Sequence, residues 1–123
     1  MSAVSKGNQY ELEAKKTLEF SGWKVFRQHR KPLFIKGKMI AVGCDIFGCD
    51  LVAKMMGAKA AWIQVSTPEN LSAKKVQVNE HPITLEHETY EIWSRLNGKK
   101  EFEVHRLTET GWIKMENVKV RTK

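Results

Sequence analysis

Asp45 and Asp50 stand inside an otherwise apolar run, GCDIFGCDLVAKMMGAKAAWIQVST (residues 43–67), and the second half of that run closes on an amide, Gln64, two positions before Ser66. An ionised carboxylate flanked by Cys49, Leu51 and Val52 is costly to bury unless a cation or several donors compensate it, and aspartate is depleted in strands. Asp50 therefore invites a metal ion or a basic partner. Asp45, following Gly43 just before Ile46-Phe47-Gly48, suits a turn as well as a ligand set. Glu11 is a further carboxylate of interest. At about 100° per residue it falls on the edge of the stripe made by Tyr10, Ala14 and Leu18 and faces the margin of whatever that helix covers; a surface pair with Lys15 at i, i+4 is its plainer role. Two hard oxygen ligands and an amide oxygen suit Mg²⁺ or Mn²⁺, which keep waters and recruit substrate phosphate. Zinc and haem are poorly served, because Cys44 and Cys49 have no second Cys pair and no suitably placed His. Those cysteines read as reduced packing residues.

The elements that must position these groups follow from periodicity and turn chemistry. Residues 8–21 place Tyr10, Ala14 and Leu18 on one helical stripe with Gly22 as the stop. WKVFR (23–27) is rich in strand formers. Residues 28–43, with Arg30, Lys31, Lys36 and Lys38 around Pro32 and Gly37, form the most positive stretch and read as a basic loop or loose hairpin. CDLVA (49–53) and AAWIQVS (60–66) predict a hairpin of central strands turning near Gly57. On such strands Asp50 and Val52 share one face, and Trp62, Gln64 and Ser66 share another, so that pairing can bring Asp50, Gln64 and Ser66 to one surface. PENLSAKKVQ (68–77) is polar and ambiguous. PITLEHETYEIWSRLNG (82–98), ending on Asn-Gly, predicts a second helix; EFEVHRL (101–107) and WIKMENVKV (112–120) predict two last strands around TETG, with a basic tail. The resulting order is α-β-β-β-α-β-β, a mixed α/β or α+β domain over residues 1–123 without repeats.

Composition bounds the partners. With 21 Lys+Arg against 14 Asp+Glu the chain carries a net +7, which favours polyanions, nucleic acid before anionic membrane. No apolar run approaches the ~18 residues of a membrane span, and the first residues lack a signal-peptide core. A cytoplasmic protein is the expectation.

KGNQYELEAKKTLEFSGWKVFR, then CDLVA, IQVST and finally GWIKMENV resemble the archaeal Holliday junction resolvases and related phage nucleases of the PD-(D/E)XK superfamily. The resemblance implies a restriction-endonuclease-like α/β core, a central mixed β-sheet flanked by helices. It also implies a metal-dependent endonuclease that resolves four-way DNA junctions as a homodimer with two sites. A compact version of the family fits a phage-encoded protein.

By that resemblance Glu11 takes the place of the helix glutamate in Lys-Gly-x-x-x-Glu, Asp50 that of the metal-binding aspartate, and Gln64 that of the acidic residue of Glu-x-Lys. Ser66 falls where the motif lysine would stand. Glu11, Asp50, Gln64, the Val65 carbonyl and Asp45 are thus the implied ligands of Mg²⁺ or Mn²⁺. The missing lysine would orient water or stabilise the charged phosphate in the transition state, and Lys6, Lys15, Lys74 and Lys75 are candidates to replace it. Lys6, Lys24, Arg27, Arg30, Lys31, Lys36 and Lys38 are the expected phosphate contacts, giving affinity without reading sequence. Tyr90, Trp93 and Leu96 on the expected second helix suit either a dimer interface or the core. Two further readings stay open: a DNA-binding protein that keeps the nuclease fold without cleavage, and a nuclease for other branched or duplex DNA.

Overall fold

Helix α1 (Ala3–Phe20) starts the chain and ends where Gly22, at φ +99°, lets the backbone turn left-handed. The Trp23 N–H donates to Leu18 O (3.1 Å) and the Gly22 N–H to Glu19 O (3.0 Å), a Schellman closure that satisfies the last carbonyls of the helix. The computed structural model describes residues 3–27, 31–35, 38–42, 50–80 and 83–121. After α1 come β1 (Lys24–Arg27), the hairpin β2 (Lys31–Ile35) and β3 (Lys38–Val42), then β4 (Leu51–Lys54) and β5 (Ala60–Ser66). A short 3₁₀ turn (Pro68–Asn70) leads into α2 (Leu71–Asn79), followed by β6 (Glu88–Arg95), β7 (Glu101–Thr108), β8 (Gly111–Lys114) and β9 (Val118–Lys119).

Seven of these strands form one mixed sheet in the order β1-β4-β5-β6-β7-β8, with β9 also on β7; β2 and β3 pair separately. All neighbours in the large sheet are antiparallel except β5 and β6. A parallel pair cannot be joined by a tight turn, so the chain crosses over through α2 between them. Both faces of the central strands are covered. Ala14 and Leu18 of α1 pack on Leu51, Ala53, Ile63, Val65, Trp93, Phe102 and Val104. On the other face Val78 of α2 packs with Tyr90 and Ile92, bordered by Trp62, Leu71, Ile83, Leu107 and Trp112. Fully buried Leu51, Ile63, Ile92 and Phe102 each contribute about 1.5–3 kcal/mol relative to exposure.

The observed series is longer than α-β-β-β-α-β-β, and one element is corrected. The described part of the stretch 82–98 is not a helix: Glu88–Arg95 is strand β6, and the second helix lies at Leu71–Asn79, in the polar stretch that was ambiguous. The reason is two-sided burial. Tyr90 and Ile92 face α2 while Glu91 and Trp93 face α1, so the strand shows no polar alternation. Asn97-Gly98 is a hairpin turn, with Gly98 at φ +75° and the Leu96 N–H donating to Glu101 O, rather than a helix stop. Tyr90 and Trp93 are therefore core residues of the sheet, the second of the two roles they suited, and Leu96 is half-buried just beyond the strand. The expected last strand is also split. β8 pairs His105 with Lys114 and β9 pairs Phe102 with Val118, a register that slips by one residue across Met115–Asn117, as at a β-bulge.

Candidate active site at one end of the sheet

β5 and β6 run in the same direction and finish together, Ser66 opposite Ser94. The first half of α1 lies at this same end, because Glu11 reaches Arg27, whose partner on β4 is Leu51. Asp50, Gln64, Val65, Ser66 and Glu11 thus come from α1, the approach to β4 and β5 to one end of the sheet, though from both of its faces.

Asp50 immediately precedes β4. Its N–H donates to Ile63 O (2.9 Å), the residue already paired with Leu51, so that Asp50 and Leu51 both meet Ile63. Its Oδ2 accepts the Val65 N–H at 2.9 Å. The carboxylate thereby takes the place of the carbonyl that a longer β4 would have offered, in a charge-assisted bond. This explains how a half-buried aspartate is tolerated at the start of an apolar strand, and it fixes the group beside the Val65 backbone.

Gln64 is only 1% exposed and shares the α2 side of β5 with Trp62 and Ser66, because Ile63 and Val65 pack toward α1. Ser66 is 5% exposed and its hydroxyl donates to Thr67 O at 2.9 Å. A lysine at that position would have to thread a long side chain out of a packed site, which the serine avoids.

Glu11 does not pair with Lys15, which instead meets Glu19 at 3.3 Å. Its Oε1 accepts from Arg27 Nε at 3.2 Å, with both side chains about 15% exposed. Arg27 is thus held by a carboxylate rather than offered singly to phosphate. Lys24 is exposed on β1. Asp45, Arg30 and Lys36 lie outside the described residues, as do the side chains of Lys6, Lys31 and Lys38. Lys74 and Lys75 sit on α2, half-buried, the helix that packs over the Gln64 side of the sheet.

Sequence reasoning missed two arginine centres. Arg95, nearly buried, donates Nε to Glu13 Oε1 (3.0 Å) and Nη1 to Leu96 O (2.9 Å) and Lys99 O, and its guanidinium lies over the Tyr10 ring at 5.1 Å. Glu91 accepts from Trp93 Nε1 (2.9 Å) and from Arg106 Nε and Nη2 (2.9 and 2.6 Å). No local pattern marks them, since the carboxylate that holds each arginine comes from another element, Glu13 from α1 and Glu91 from β6.

Among the described residues no three His, Cys, Asp or Glu side chains come together as a metal cluster. The donor chemistry at Asp50 still suits a hard cation. A carboxylate has about four lone-pair positions, so one bond to Val65 does not exhaust it, and Mg²⁺ binds through one or two carboxylates with waters and phosphate oxygens. No helix among the described residues is long and apolar enough to cross a membrane. No family model matches the chain, and no curated protein or solved structure matches it either.

Proposed function

We propose that this chain is a metal-dependent, structure-specific DNA endonuclease of the PD-(D/E)XK type, acting on four-way junctions as a homodimer. The observation that carries the reading is the position of Asp50: it immediately precedes the middle strand of an antiparallel trio (β1, β4, β5), meets Ile63 through its N–H, and bonds the Val65 backbone just before the chain crosses over to a parallel strand. Asp50, the Gln64 amide oxygen and the Val65 carbonyl would hold Mg²⁺ or Mn²⁺, which would supply a water nucleophile at neutral pH and stabilise charge on the phosphate. The chain's own part is to fix the carboxylate through the Val65 N–H and to cover the site with α1 on one face and α2 on the other. Net charge of +7 supplies the electrostatic attraction to DNA.

The test is cleavage of an end-labelled four-way junction, beside linear duplex and flap substrates, with Mg²⁺, Mn²⁺ or EDTA. Asp50→Asn is the proper control, because the amide oxygen can still accept the Val65 N–H while the charge is lost. Paired nicks near the branch that require metal and fall about a thousandfold in the variant are the expected result; no cleavage of any substrate under any metal defeats the proposal.

A second reading, a junction-binding protein without cleavage, is favoured by one specific feature. Glu11 is neutralised by Arg27, and the position of the motif lysine holds a serine whose hydroxyl is turned to Thr67 O. Tight junction binding in the same assay without cleavage is its signature.

A further inference from the structure

The turn between β6 and β7 carries Lys99 and Lys100 on an Asn-Gly hairpin, a place where lysines ordinarily do no more than solvate a loop. Here the turn is anchored from below. Arg95 binds the carbonyls of Leu96 and Lys99, is held by Glu13 of α1 and lies over Tyr10, so the backbone under the two lysines is tied to the helix. A second tie runs from Asn97 Nδ2 to Glu69 Oε1 at 3.4 Å.

Between the turn and the helix lies a groove of about 480 Å³ bordered by Gln9, Tyr10, Asn97, Gly98, Lys99 and Lys100. Both lysines are exposed, and among the described residues neither has a carboxylate within ion-pair distance. Gln9 and Asn97 add amide groups, and Arg95, which also lines it, is matched by Glu13. The groove opens at the end of the sheet where β5 and β6 finish, which is also the end that holds Asp50.

We infer that this groove seats the sugar–phosphate backbone of a DNA strand on its way to Asp50, with Lys99 and Lys100 as phosphate contacts. The inference rests on the endonuclease reading and adds to it a surface outside the basic segment 24–38. Two cations on an anchored turn, beside neutral amides and an aromatic ring, match a phosphodiester strand. The Arg95–Glu13 pair gives the groove a fixed shape rather than further charge. Lys99 and Lys100 act by positioning the strand.

The experiment measures junction binding by fluorescence anisotropy against salt for three proteins: the unaltered chain, Lys99→Gln/Lys100→Gln, and Lys54→Gln/Lys114→Gln. The last pair removes the same charge from exposed lysines elsewhere on the sheet. Because Arg95 bonds only the backbone of Lys99, melting temperature should not change in the first variant. The expected result is a loss of about 2 in the slope of log K against log salt, at about 0.9 per phosphate contact, with little change in the control pair. If the two double variants behave alike, the groove is not the strand seat, while the endonuclease reading stands on its cleavage data. If the unaltered chain binds no DNA, both fall together.

Discussion

The two ends of the central sheet are built differently. At the end where β5 and β6 finish, polar groups are fixed by short directional bonds: Asp50 to the Val65 N–H, Ser66 to Thr67 O, Arg95 to Glu13 and the β6–β7 turn. At the opposite end, where β5 and β6 begin, lies the larger concavity, about 760 Å³, walled by Trp23, Ala61, Ile63, Trp93, Val104 and Met115. Its innermost charge, Glu91, is already spent on Trp93 and Arg106. Size therefore points one way and chemistry the other. A hard cation and a phosphate need oxygen donors and positive side chains; the larger cavity also carries Lys59, Arg106, Glu91 and Glu116, but there Arg106 is paired with Glu91 and Lys59 donates to Leu85 O, whereas Lys99, Lys100 and Asp50 face the other end.

This contrast can be broken at either end. Arg95→Ala should have the largest effect on stability. It leaves the largely buried Glu13 without its partner and unties the turn, at a cost of about 3 kcal/mol in denaturant unfolding; a loss under 1 kcal/mol would mean that the pair is only a surface contact. Asp50→Asn, which is expected to abolish cleavage, should cost no more than about 1 kcal/mol in the same unfolding experiment, since the Val65 bond is kept. Ala61→Val, which adds volume to the wall of the far cavity on a strand that favours branched residues, should shift stability by less than about 1 kcal/mol. Its junction cleavage should match the unaltered chain. A large drop in cleavage from Ala61→Val would place function in the cavity instead.

Much of the sheet could be read from residue patterns. The stripe Tyr10-Ala14-Leu18 with Gly22 gave helix α1, and the apolar runs around Gly57 gave the β4–β5 hairpin, because each is decided by local periodicity and a local turn. β6 could not be read that way. A strand covered on both faces has no alternation, and Asn97-Gly98 ends a helix or turns a hairpin equally well in one dimension. The basic segment 28–43 held a hairpin, as one of its two readings had it. At the candidate site, the oddity of Asp50 among apolar neighbours was legible. Its bond to Val65, and the capture of Glu11 by Arg27, were not, because both depend on how separate elements meet.

The most direct measurement is a Mn²⁺ titration followed through backbone amide NMR signals, whose paramagnetic broadening reports distance from the bound ion. The account predicts that the amides of Asp50, Val65 and Ser66 broaden first, that those of Thr108, Thr110 and Gly111 at the remote β7–β8 turn broaden least, and that Asp50→Asn removes the effect. Broadening centred on the far end, or unchanged by Asp50→Asn, would contradict the assignment of the working site to Asp50.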